Sequence, residues 1–137
     1  MADLTITAAN VGIKGDNVTL IQVQAGEALT QMQPVYQKTS DGKYYQSDAN
    51  VDDETAEAVG VTLTSAAADE YVVVATAGDV DPGTTVVATE EYVVSDTAGK
   101  LMPIGDLSSG DRYTRIGYGK DTSTIAIDVL ATGIQKA

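Results

Sequence analysis

The sequence predicts an all-β fold: a compact β-sandwich or barrel-like domain, with two pseudo-repeated β-units and an extended N-terminal arm. Three observations lead there. Runs rich in β-branched residues and tyrosine recur along the whole chain. Gly, Asp or Ser separates them at intervals of roughly eight to twelve residues, the spacing of sandwiches and barrels. One short stretch alone has helical character.

In chain order, the first 17 residues read as an N-terminal arm or an edge strand, and 18–137 as a single β domain. In the first part Leu4, Ile6, Val11 and Ile13 are apolar but sit among Ala, Asn and Gly. Such a segment either packs as an edge strand or orders on a partner by strand addition. Val18–Val23 is a strand. Val35–Lys38 and Tyr44–Gln46 flank Ser40-Asp41-Gly42, a hairpin turn in which Gly tolerates positive φ. Asp52–Ala58 opens with a capping Asp and acidic residues, but is too short to be a stable helix alone, so it reads as one turn or a loop. Val59–Leu63 and Tyr71–Val74 are strands, with Ser65–Asp69 a loop between them. Asp79-Val80-Asp81-Pro82-Gly83 reads as a turn. Thr84–Val87, Tyr92–Val94, Leu101–Met102, Arg112–Ile116 and Thr124–Val129 complete the strands.

A shift of 57 positions (83 − 26 = 57) lays Gly26 on Gly83, Gly42-Lys43 on Gly99-Lys100 and Val59-Gly60 on Ile116-Gly117. After a two-residue deletion, Val72, Val74 and Gly78 meet Ile127, Val129 and Gly133. The strand pattern moves with the glycines, which points to an internal repeat of 26–78 and 83–133.

Composition removes several functions. The chain has 137 residues, no Cys and no His, so thiolate chemistry, disulfides and Ser-His or Cys-His catalysis are excluded. A formal charge of −12 repels a phosphate backbone, so no nucleic acid is expected as partner. No run reaches the ~20 apolar residues of a membrane helix. Hydrophobic residues make up 43%, but many are Ala and Val, so support from a homo-oligomer (trimer or dimer) or a larger body is expected.

The candidate chemical motifs fail on inspection. Asp48, Asn50, Asp52, Asp53 and Glu54 resemble the start of a calcium loop, but Asp53 and Val59 stand where Gly and Glu are required. A solvated acidic loop is the better reading. Gly117–Thr122 lacks the upstream Gly and the following Ser or Thr of a phosphate loop. Carboxylate pairs alone do not argue for a hydrolase, because 20 acidic residues supply pairs in any fold. The seven tyrosines suit either core or interface. Arg112 and Arg115 read as partners for acidic neighbours. No enzyme activity, cofactor or metal is expected.

The run Ala25–Thr30, then Gln33-Pro34-Val35-Tyr36 and Asp41–Tyr45, resembles the capsid cement (head decoration) proteins of tailed bacteriophages. Ala58–Ala66, Thr97–Leu101 and the opening Ala2–Thr7 continue the likeness, which covers nearly the whole chain. Ala68-Asp69-Glu70 departs from it, where a Gly-containing turn is expected. The resemblance implies a non-enzymatic virion protein that binds the outer surface of an assembled capsid at capsomer junctions, as a trimer or dimer, with the major capsid protein as partner. It implies a terminal arm along the shell; Leu4, Ile6, Val11 and Ile13, which lie outside the repeat, are the expected capsid contact. The alternative is a surface-displayed receptor- or carbohydrate-binding module with exposed tyrosines lining a shallow site.

Overall fold

The structure, a computed structural model, describes residues 3–137. Met1 and Ala2, the first residues of the expected arm, lie outside the described residues. The fold is all-β. One curled antiparallel sheet of ten strands forms a half-barrel, with one four-residue helix among the described residues.

The strands are β1 (Val11–Ile13), β2 (Thr19–Gln24), β3 (Pro34–Gln37), β4 (Tyr44–Gln46), β5 (Gly60–Thr62), β6 (Tyr71–Pro82), β7 (Glu91–Val94), β8 (Leu101–Pro103), β9 (Arg112–Asp121) and β10 (Thr124–Gln135). Their order is β4-β3-β5-β6-β10-β9-β7-β8, with β1 and β2 both added to β6. Read outward from the central β6–β10 pair, the two halves have the same connectivity. A shift of 57 carries β3 onto β7 (91 − 34 = 57) and β4 onto β8 (101 − 44 = 57). Two pairs of glycines correspond under the same shift. Gly42 and Gly99 close the β3–β4 and β7–β8 hairpins with φ of +74° and +73°, a region L side chains avoid. A Cβ on Gly60 would stand 2.2 Å from the Ala75 carbonyl oxygen, and one on Gly117 2.0 Å from that of Ala126. Neighbouring backbone therefore demands glycine at both places.

β6 is the hub. Ala75 pairs with both Leu20 of β2 and Val61 of β5, so these strands take opposite edges of β6. Val80 likewise pairs with Ile13 of β1 on one side and Ile125 of β10 on the other. The larger core lies between the halves and includes Met32, Val61, Val80, Tyr92, Leu101, Ile116, Ile125 and Ile127. A second cluster of Ala25, Leu29, Val35, Val72 and Val74 receives Ile21 and Val23 from β2. Each large side chain fully buried contributes on the order of 1.5–3 kcal/mol.

Two expectations need correction. The acidic stretch Asp79–Gly83 is mostly strand, because β6 continues to Pro82. Val80 is fully buried while the flanking carboxylates are partly buried and partnered, Asp79 meeting Lys120 and Asp81 accepting from the Gly83 N–H. Thr84–Val87 forms no strand. Its place is fixed instead by the buried Val86 side chain, by the Val86 N–H to the Thr122 carbonyl, and by the Val87 N–H to the Tyr92 hydroxyl at 2.9 Å. The acidic turn forms as α1 (Asp53–Ala56), capped by Asp52, whose carboxylate accepts from the Thr55 N–H at 2.7 Å.

The N-terminal segment lies against the sheet. The Leu4 N–H donates to the Leu101 carbonyl and the Thr7 N–H to that of Gly83, and β1 pairs antiparallel with the end of β6. Leu4, Ile6 and Val11 are partly buried on the larger core. Between the segment and the body lies a hollow of about 90 Å³, lined by Leu4, Ile6, Met32 and Leu101 among others. The geometry is that of a docked strap ending in an edge strand, in place of an extended arm.

Candidate interaction surface

The four residues assigned to the capsid contact do not form one surface. Leu4, Ile6 and Val11 are used by the chain's own core, and Ile13 alone is largely exposed, at 53%. A strand that alternates apolar and polar residues reads the same whether it docks on its own domain or on a partner, so the sequence did not separate these outcomes.

The exposed large apolar side chains lie elsewhere. They include Leu20 on β2, Tyr71 at the start of β6, Val87 in the following loop, and Leu130 and Ile134 on β10. Sequence reading passed over Leu130 and Ile134 because the β10 signal stopped at Val129. The strand in fact runs to Gln135, through register shifts near Thr132 and Gly133 that interrupt its period. On β10, the stretch Val129–Gln135 pairs with β9 on one edge only, since the ladder with β6 ends at the Asp128–Ala77 pair. No charged residue occurs in Val129–Gln135. Leu130 stands opposite Arg115, and Ile134 opposite Tyr113.

Around these positions the charge is strongly ordered. Arg112 pairs with Asp53 at 2.7 Å and Arg115 with Asp128 at 3.2 Å, joining β9 to α1 and to β10. Lys43 meets Asp69 at 2.6 Å and Lys120 meets Asp79 at 2.5 Å. Hydrogen bonding to these carboxylates raises the pKa of both lysines. Such exposed pairs add little stability but occupy cations, leaving a surplus of carboxylate on the surface. Among the acids of the expected calcium loop, Asp48 is pushed up chiefly by burial, and Asp96 and Asp111 add repulsion. Asp52 is held low by its hydrogen bonds to Thr55. Among the described residues, no group of three or more acidic side chains is placed to share a metal ion.

The tyrosines divide by environment. Tyr36 and Tyr92 are buried, while Tyr71 and Tyr118 are exposed at 65% and 43%. Tyr45 stacks loosely with Tyr36 at 6.2 Å between centroids, with the Lys38 ammonium 5.0 Å from its ring. Its hydroxyl donates to Asp41 at 2.6 Å, which pushes its pKa up to about 12. Tyr113 donates to Glu91, and its pKa is raised by that bond. Three surface hollows are lined mainly by Thr, Gln, Asn and Glu or by the N-terminal strap, and no tyrosine lines any of the three. A shallow sugar site faced with tyrosine is therefore not assembled at these hollows.

Among the described residues no helix is long and apolar enough to cross a membrane. No family model matches the chain, and no curated protein matches it.

Proposed function

We propose that this protein is a structural component that docks on the outside of a tailed-phage capsid and cements adjacent capsomers. The observation that carries the reading is the placement of exposed apolar side chains, Leu130 and Ile134, on an uncharged stretch of β10 in a chain of net charge −12. Apolar side chains presented from a rigid sheet supply contact area with little ordering cost, because the sheet is already formed. The acidic remainder suits a face turned away from packaged nucleic acid. The resemblance of Ala25–Tyr45 and Ala58–Ala66 to capsid cement proteins supplies the partner, the major capsid protein. The paired connectivity of the two halves fits a repeat of 26–78 and 83–133, which would present two similar β-units to neighbouring capsomers.

Energetically, cement works by linkage. Contacts that exist only on the assembled shell stabilise it by mass action, and the effect accumulates over many sites. The test is co-sedimentation of wild type and a Leu130→Asp/Ile134→Asp double variant with capsid shells. Both side chains are exposed, so the variant should keep its thermal midpoint. The expected result is saturable binding by wild type and at least a tenfold loss in the variant. Equal binding by both proteins would remove β10 from the contact. Affinity for an arrayed glycan, with none for shells, would replace the proposal by a surface-displayed binding module.

A further inference from the structure

We infer that the hollow between the N-terminal strap and the end of β6 is a binding site for one neutral sugar ring, held by hydrogen bonds in place of stacking on tyrosine. The inference goes beyond capsid docking, and the site shares no residue with the Leu130–Ile134 stretch of β10.

The hollow measures about 520 Å³ and is lined by Thr5, Thr7 and Asn10 of the strap, Asp81 of β6, and Gly83, Thr84 and Thr85 of the loop that follows. Three separate segments therefore present polar side chains to one space. On the strap the cause is alternation. Leu4 and Ile6 pack on the larger core, which leaves Thr5 and Thr7 exposed on the other side. Backbone fixes the walls. The Thr7 N–H donates to the Gly83 carbonyl at 2.8 Å and the Asn10 N–H to the Thr7 carbonyl at 3.0 Å, and Gly12 stands opposite Asp81 in the β1–β6 ladder. Gly83 has φ +71°, and a Cβ there would lie 2.6 Å from the Thr7 carbonyl oxygen, so glycine is what lets the loop approach the strap. A ligand would meet a surface that is already formed, and little ordering would oppose binding.

The occupant follows from what the hollow offers. The side chains of Thr5, Thr7, Asn10, Thr84 and Thr85 make no hydrogen bond to another described residue. One carboxylate oxygen of Asp81 accepts from the Gly83 N–H at 3.0 Å, which orients the other. Each Thr hydroxyl both donates and accepts, and the Asn10 amide does so through two different atoms. A sugar hydroxyl also does both, so a ring with several hydroxyls complements the whole set. Other ligand classes match less of it. An anion would meet the Asp81 carboxylate in a chain of net charge −12. A calcium-like cation calls for several carboxylates, and among the described residues no group of three acidic side chains is placed to share one. A lysine ammonium suits Asp81 but has no acceptor for the Asn10 amide. An apolar group would strip water from five polar side chains and leave nothing in its place.

The test is a nuclear magnetic resonance titration of the isotope-labelled full chain with D-glucose, D-galactose, D-mannose and N-acetyl-D-glucosamine. Each is taken to ~100 mM, because a site with no aromatic ring to bury binds weakly. Saturable shifts of the Thr7, Gly83 and Thr84 amides are expected with at least one of the four. Thr7→Val with Thr85→Val removes two hydroxyls from exposed positions at nearly constant shape. Asp81→Asn removes the charge but keeps an acceptor for the Gly83 N–H. Each of these variants should bind at least fivefold more weakly with an unchanged circular dichroism spectrum, while Tyr71→Ser, outside the hollow, should bind as wild type. Equal binding of the methyl glycoside would assign the site to the end of a glycan chain, and its loss to the free sugar; either upholds the inference. No saturable shift with any of the four sugars would overturn it. Shifts that centre on Tyr71, or binding that survives unchanged in both hollow variants, would also overturn it.

Discussion

If the strap is docked in solution, trimming its apolar side chains must destabilise the whole domain. The perturbation is Leu4→Ala with Ile6→Ala. Truncating a fully buried Leu or Ile to Ala costs about 2–5 kcal/mol. Leu4 and Ile6 are only partly buried on the larger core, which scales the cost to roughly half, about 1–2 kcal/mol each. The pair share the hollow of about 90 Å³, so they will not add perfectly, and about 2–3 kcal/mol is expected together. One kcal/mol moves the midpoint by roughly 3–5 °C for a chain of this size, so the double variant should melt roughly 10 °C below wild type. The assay is thermal unfolding followed by circular dichroism, with Ile116→Ala as a fully buried control. A free arm predicts no change. If the double variant melts with wild type while Ile116→Ala melts well below it, the strap is not docked and the packing argument fails.

Other perturbations probe separate parts of the account. Gly60→Ala and Gly117→Ala should each lose about 1–3 kcal/mol or more in urea unfolding, because the new methyl meets backbone oxygen that cannot step aside. Comparable losses at the two positions are expected of equivalent sites, whereas a loss at one alone would argue against the repeat. Ser47→Ala should hold or raise stability by up to ~1 kcal/mol in the same assay, since the buried Ser47 hydroxyl has no hydrogen-bond partner among the described residues and its desolvation is uncompensated. Asp48 has a raised pKa in the folded state, so folding favours its protonated form; that stabilisation is complete below the ordinary carboxylate range and is lost as pH rises through the raised value. Asp48→Asn keeps an acceptor for the Asn50 N–H and should therefore raise the melting temperature at pH 7 and change it little at pH 3. A lower melting temperature at pH 7 would contradict that sign.

The fold class was legible because each strand carries a local signal. The Asp41-Gly42 hairpin, the Asp52 cap and the spacing of β3, β4, β7 and β8 all depend on residues close in sequence. What escaped depends on distant partners. β6 crosses Gly78, Asp79 and Asp81, which locally favour a turn, and it holds as a strand because β1 and β10 pair with it on both sides. Thr84–Val87 has strand propensity but forms no strand, and is held by the buried Val86 side chain and by hydrogen bonds to Thr122 and Tyr92. The site was less legible still. Leu4, Ile6 and Val11 were correctly apolar, but apolarity does not say whose core a side chain joins.

Whether this domain binds and stabilises a capsid, as proposed, is read by co-sedimentation with shells assembled from the major capsid protein of the same source, with and without a heat challenge. Saturable binding to the shell exterior is expected, with a higher temperature of shell disruption when the sites are filled. Folded protein that remains in the supernatant with intact mature shells, and leaves their disruption temperature unchanged, would contradict it.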